Sequence, residues 1–117
     1  MSKSIILEKS IKFALRIVNL YKYLTEDKKE YVLSKQVLLS GTQIGKHAKE
    51  ATQAESKQVF RQEMGVALRK ASETEYWLLV IFQGKFIDEN EYNSINNDCI
   101  ELIKMLVSAN KTIKSNG

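Results

Sequence analysis

His47 and Cys99 are the only histidine and the only cysteine in the chain. A nucleophilic Cys–His pair would have to join these two. Cys99, however, falls on a core position of a heptad seam, where a buried and unreactive thiol is the expectation. A di-iron bundle needs a Glu-x-x-His motif on each of two helices, and one histidine cannot supply it. A zinc site built on one His and one Cys would need several carboxylates to converge as well. "GTQIGK" (Gly41–Lys46) has two glycines and a lysine but lacks the spacing and the following Ser/Thr of a phosphate-binding loop. Glu73 and Glu75 in "SETEYWL" point about 200° apart on a helix, so they cannot flank one reacting centre. Glu73 follows Arg69 by four residues and is expected to pair with it on the surface. A haem held by His47 and a methionine has no motif behind it. No metal and no cofactor is expected, and an enzyme is not the expected reading.

Elements that carry no reaction centre must still be positioned, and the sequence says how. The chain has 117 residues, of which 44% are hydrophobic, with no proline and five glycines. That composition suits one helical domain (residues 1–117) better than a β fold, which needs frequent turn residues. One cysteine excludes an internal disulfide and suggests a reducing, cytoplasmic setting. The N-terminus has no signal-like apolar core followed by a cleavage site. The longest apolar run, "YWLLVIF", is far short of a membrane span, so no membrane partner is expected.

Apolar residues recur every three or four positions, which predicts four helices over about 4–24, 26–51, 56–83 and 88–114. The first carries Ile6, Ser10, Phe13, Ile17, Leu20 and Leu24. The second carries Leu33, Val37, Ser40, Ile44, Ala48 and Ala51, and Thr25 is its expected N-cap. The third has a heptad seam of Phe60, Met64, Ala67, Ala71, Thr74, Leu78 and Ile81. It is expected to start at Ser56, or at Thr52 with Glu55, and to end at Gly84. The fourth opens on Asp88 with Glu91, an acidic capping box. Its seam is Tyr92, Ile95, Cys99, Leu102, Leu106, Ala109 and Ile113, and its "KSNG" end is expected to fray. Short joints force neighbours to run antiparallel, so the predicted fold is an all-α, up-down-up-down four-helix bundle.

Gly41 and Gly45 interrupt the composition of helix two without interrupting its period. Each costs about 1 kcal/mol in a helix relative to alanine. With Ser40 and Ala48 they form a patch of little bulk. Such a patch lets a neighbouring helix, or a large side chain such as Trp77 or Phe82, come close to the backbone.

Residues 1–50 carry ten Lys/Arg against five Asp/Glu, whereas residues 51–117 carry eight against nine. The whole positive excess lies in the first half of the chain. On helix two, Lys28, Lys35, Lys46 and Lys49 share the side opposite the apolar stripe. On helix one, Lys9, Lys12 and Arg16 cluster. Aligned cations on an exposed face are how a helical protein meets phosphates. Around the seam of helix three, Tyr76, Trp77, Leu79, Val80 and Phe82 make its end apolar nearly all round, which calls for a second covered face and a homo-oligomer.

The segments "EYVLSKQVLLSGTQIGKHAKEA" and "ALRKASETEYWL" resemble the proteins encoded in intervening sequences of bacterial 23S rRNA genes. The likeness runs from "FALRIVNLYKYL" to "CIELIKML". It differs at Lys46-His47, where that family usually shows a small residue and Asn. The resemblance implies an antiparallel four-helix bundle that assembles as a ring, typically a pentamer. It also implies a basic surface like that of the accessory variability protein of diversity-generating retroelements, which binds a reverse transcriptase and nucleic acid. No catalytic residues come with it. The combined expectation is a non-enzymatic oligomer that binds structured RNA or another nucleic acid through Lys12, Arg16, Lys28, Lys35, Lys46 and Lys49. The alternative is a scaffold for a protein partner.

Overall fold

The computed structural model describes residues 2–116, and the side chains of residues 5–111. Among these residues the chain forms α1 (Ser2–Glu26), α2 (Leu33–Thr52), α3 (Lys57–Gln83) and α4 (Glu89–Asn116), with no strand. Residues of neighbouring helices meet in opposing order, Gly41 of α2 beside Ile17 of α1 and Gly45 beside Ser10 among them. Lys9 reaches Glu101 while Arg16 reaches Asp98. Ser40 meets Thr74 while His47 meets Glu63. Cys99 meets the Ala71 carbonyl while Asn110 meets that of Met64. Each neighbouring pair is therefore antiparallel, and α1–α2–α3–α4 close back on α1 in a body of 46 × 21 × 19 Å.

The heptad and 3–4 spacings become the core. Ile6, Phe13, Ile17 and Leu24 of α1 meet Val37, Ile44, Ala48 and Ala51 of α2. Met64, Ala67, Ala71, Leu78 and Ile81 of α3 and Ile95, Cys99, Leu102 and Leu106 of α4 complete it. Leu20, Leu33, Phe60, Tyr92 and Ala109 are half-buried at its edges. Ile113 lies outside the residues whose side chains are described, and Gly117 lies outside the described residues.

Two ends, that of α1 and the start of α2, differ from the sequence expectation for local reasons, and α3 ends at Gln83 as predicted. Thr25 does not cap α2; its hydroxyl donates to the Tyr21 carbonyl, and α1 runs on to Glu26. The chain then turns through Lys29, at a positive φ of 54°. Glu30 does the capping instead. Its carboxylate accepts the N–H groups of Val32, Leu33 and Ser34 at 3.1, 2.9 and 2.7 Å, and the Ser34 hydroxyl donates to the Glu30 carbonyl. Those amides would otherwise have no partner at the start of a helix. Consequently α2 begins at Leu33, seven residues after the predicted start at Glu26. At the end of α3, Gly84 is still right-handed (φ −76°), and the left-handed residue is Lys85 (φ 68°). The Phe86 N–H then bonds the Ile81 carbonyl, closing the helix end as a Schellman turn. Ser56 and the Asp88–Glu91 pair cap α3 and α4 as the sequence predicts, whereas Thr52 donates to Lys49 and belongs to the end of α2.

The small patch on α2 receives α1. A Cβ placed on Gly41 would lie 2.7 Å from Ile17 Cγ1 and 2.9 Å from its Cγ2. One on Gly45 would lie 3.4 Å from Ser10 Cβ, an ordinary contact. The large residue seated on the patch is thus Ile17, neither Trp77 nor Phe82. Ser40 and Ala48, both buried, flank it, and the Ser40 and Thr74 hydroxyls bond at 2.9 Å toward α3.

Two predictions follow from this packing. Gly41→Ala should destabilise the fold by about 1–3 kcal/mol, because Ile17 is fully enclosed and cannot move aside. Gly65→Ala, where an added Cβ meets nothing within 4 Å, should stabilise it by about 1 kcal/mol. Denaturant melts of the two variants beside the natural chain test the pair; equal shifts would contradict the close approach. For Glu30, burial pushes the carboxyl up, but the amides of Leu33, Ser34 and Val32 together outweigh burial, leaving it below its ordinary 4.5. A lowered carboxyl contributes its full stability above that value and loses it as the pH falls below. Glu30→Gln should therefore cost about 0.5–2 kcal/mol near neutral pH. The difference from the natural chain should close as the pH falls below 4.5.

Candidate nucleic-acid interface

The residues able to do chemistry are kept apart. Cys99 is fully enclosed between α3 and α4 with its Sγ 3.4 Å from the Ala71 carbonyl oxygen. Burial, and secondarily the Glu75 carboxylate, push its thiol up to about 12, so it stays protonated and unreactive. His47 lies on the flank of α2 toward α3, its Nδ1 2.7 Å from Glu63 Oε2. Among the described residues no group of three or more His, Cys, Asp or Glu is arranged to hold a metal ion. Glu73 pairs with Lys70 at 3.4 Å rather than with Arg69.

The basic residues divide into two sets. On α1, Arg16 is spoken for: it reaches Asp98 at 2.8 Å and the Ser94 carbonyl and hydroxyl at 3.2 and 3.0 Å. Lys9 pairs with Glu101 at 3.1 Å. Lys12 is exposed one turn from Arg16, on the flank toward α4. On α2, Lys35, Lys46 and Lys49 are exposed, and among the described residues no carboxylate lies within ion-pair distance of them. They face outward because the apolar stripe of the same helix faces in; counted from Val37 they fall about 120–180° round the helix. Lys28 does not join them. It sits in the α1–α2 loop, with its Nζ 5.8 Å from the centre of the Tyr23 ring.

The structure thus places Lys35, Lys46 and Lys49 on one outward side of α2, and separates Lys12, Arg16 and Lys28 from them. It also adds Lys22, which the sequence reading passed over. Lys22 is exposed on α1, about 140° round the helix from Ile17, with no ion pair among the described residues. The phase of Lys22 against Ile17 was the available signal, masked by the tighter cluster at Lys9, Lys12 and Arg16.

The apolar end of α3 divides too. Tyr76 and Leu79 are 58% and 39% exposed. Trp77 and Phe82 pack against the core, Phe82 stacked on Tyr92 with ring centres 4.4 Å apart, and Val80 is half-buried. Among the described residues no helix is long and apolar enough to cross a membrane.

Known proteins match this architecture along its length. A solved structure of a protein of unknown function from the S23 ribosomal protein family of Bacteroides thetaiotaomicron VPI-5482 is 47% identical. The match covers 95% of this chain and 99% of that one, with a TM-score of 0.93. No curated protein matches. A family model described as 23S rRNA-intervening sequence protein matches residues 2–108, and the chain belongs to that family.

Proposed function

We propose that the chain binds structured RNA, without catalysis, through the outward side of α2, and that it does so as a homo-oligomer in the cytoplasm. The observation that carries the RNA reading is the contrast between α1 and α2. Lys9 and Arg16 are neutralised by α4, whereas Lys35, Lys46 and Lys49 stand exposed with no carboxylate partner among the described residues. Unpaired cations on one face release counterions when phosphates replace solvent, which is the sequence-independent part of nucleic-acid affinity. The family's association with 23S rRNA supports RNA as the nucleic acid.

For the oligomer, the support is the apolar outer side of α3. Tyr76 and Leu79 are 58% and 39% exposed on that side, with Val80 half-buried beside them, and such grouped apolar residues suit an interface. A ring, with the pentamer as the expected number, is the assembly the resemblance implies. A docked protein partner is the rival, and the same experiments decide against it or for it.

Binding to a structured RNA should weaken linearly in log affinity against log salt. The triple variant Lys35→Glu, Lys46→Glu, Lys49→Glu should abolish binding while its helical circular dichroism is unchanged. Persistent binding by that variant would sink the reading, and a nuclease-insensitive stoichiometric protein partner would replace it. In parallel, Tyr76→Glu with Leu79→Glu should reduce the solution mass toward the 13.4 kDa of one chain. An unchanged mass would remove α3 from the interface.

A further inference from the structure

The lysines are not an even stripe, and their grouping carries more than their number. Gly41 and Gly45 let α1 lie close against α2, so the outer sides of the two helices form one shallow surface. The contacts of Gly41 with Ile17 and Gly45 with Ser10 fix the register. In that register Lys22 of α1 is level with Lys35 of α2, and Ile11 is level with Lys46. Lys22 and Lys35 form one group, Lys46 and Lys49 another. Lys46 follows Lys35 by eleven positions, about 16 Å along the helix. Between them α2 reads "QVLLSGTQIG", residues 36–45, without a charge. The outward residues of α1 at those levels are Ile11 and Leu15, 51% and 61% exposed. Arg16 is turned away to Asp98, and Lys12 lies on that same flank. Exposed Glu50, one turn after Lys46 on α2, and Glu8, level with Lys49 on α1, are the carboxylates beside the second group, and Glu26, one turn after Lys22, is the one beside the first; none is within ion-pair distance of these lysines.

Two cationic groups with a neutral floor do not follow a single strand, whose phosphates would meet a continuous stripe. They suit two phosphate rows with a groove between. The groove must be shallow, because two helices side by side cannot enter a deep one. The major groove of DNA is about 8.5 Å deep and admits one helix. The minor groove of an RNA duplex is wide and shallow and displays ribose hydroxyls. Resting on the RNA reading above, we infer that the α1–α2 surface straddles the minor groove of double-helical RNA. Lys22 and Lys35 sit on the phosphates of one strand and Lys46 and Lys49 on those of the other, and Ile11, Leu15 and Thr42 lie over the sugar edges between.

The test is equilibrium binding of the full chain to an RNA duplex of about 16 base pairs. Its separated strand and a DNA duplex of the same sequence are the comparisons, each measured at several salt concentrations. The RNA duplex should bind at least about tenfold more tightly than either. Lys22→Gln with Lys35→Gln, and Lys46→Gln with Lys49→Gln, should each weaken duplex binding and each reduce the salt slope by about two per bound copy. Lys28→Gln should change neither. Leu15→Glu should weaken binding at unchanged solution mass. Equal affinity for the single strand or for DNA would overturn the groove assignment and leave the RNA reading standing. So would a salt slope that responds to only one lysine pair, or a Leu15→Glu variant that loses its oligomeric mass yet binds duplex unchanged. Absence of binding to all three nucleic acids would overturn both.

Discussion

The contact on which the rest of the molecule depends is Ile17 against the bare backbone of Gly41. Ile17 is fully enclosed, and its branched side chain occupies the space a Cβ on residue 41 would need. A helical glycine costs about 1 kcal/mol, and burying an isoleucine side chain stabilises by about 1.5–3 kcal/mol. The exchange favours the close pair. It also resists sliding, because a shift of less than a turn drives Ile17 into residues that do have side chains, and Ser10 already occupies the place beside Gly45, one turn on. The register of α1 on α2 is therefore sterically fixed. The Ser40–Thr74 hydroxyl pair carries it on to α3, and the Ala71–Cys99 contact carries it from α3 to α4.

Closing the bundle from α4 back to α1 relies on different physics. There the helices are joined by Lys9–Glu101 and by Arg16 with Asp98 and Ser94, all on partly exposed side chains. A surface ion pair contributes about 0–1 kcal/mol, so this seam is the weakly held one. Toward the loop end it opens into a cleft of about 540 Å³ lined by Arg16, Asn19, Tyr23, Asn90, Glu91 and Ser94. The arrangement has an electrostatic consequence: the α4 carboxylates neutralise the α1 cations they face, and the unpaired positive charge is left on the side of α2 and on Lys22.

The seams of all four helices were legible in the sequence because burial imposes its period on residue type, and the period survives Gly41 and Gly45. The start of α2 was not. "TEDKKEYV" is rich in residues that favour helix, so composition gives no stop between Thr25 and Val32. The stop is made by Lys29 at positive φ and by a carboxylate that caps from three residues before the helix, a role in which Glu is not the expected residue. The same slip of register placed Lys28 among the α2 lysines. The end of α3 was legible in Gly84, its C-cap. The left-handed conformation that often follows a helix end falls one residue later, on Lys85. On α3 the all-round apolar composition was legible, but which side chains remain outside was not. That is settled by Tyr92, whose ring covers Phe82, and by the core, which takes Trp77.

These two kinds of legibility separate packing from surface on α2. Within residues 36–45 the inward positions Val37, Ser40, Gly41, Ile44 and Gly45 are buried, and their small or apolar types are dictated by α1 and α3. The outward positions are under no such demand. Leu39 is exposed, Thr42 and Gln43 are half-buried, and a lysine or glutamate at Leu39 would meet no steric objection from the bundle. Solvated helices ordinarily carry charge at such places, as α2 itself does at Lys35, Lys46 and Lys49. A neutral outer segment framed by unpaired cations is thus a property of the surface alone. Folding does not require it, which leaves it free to serve the contact proposed above.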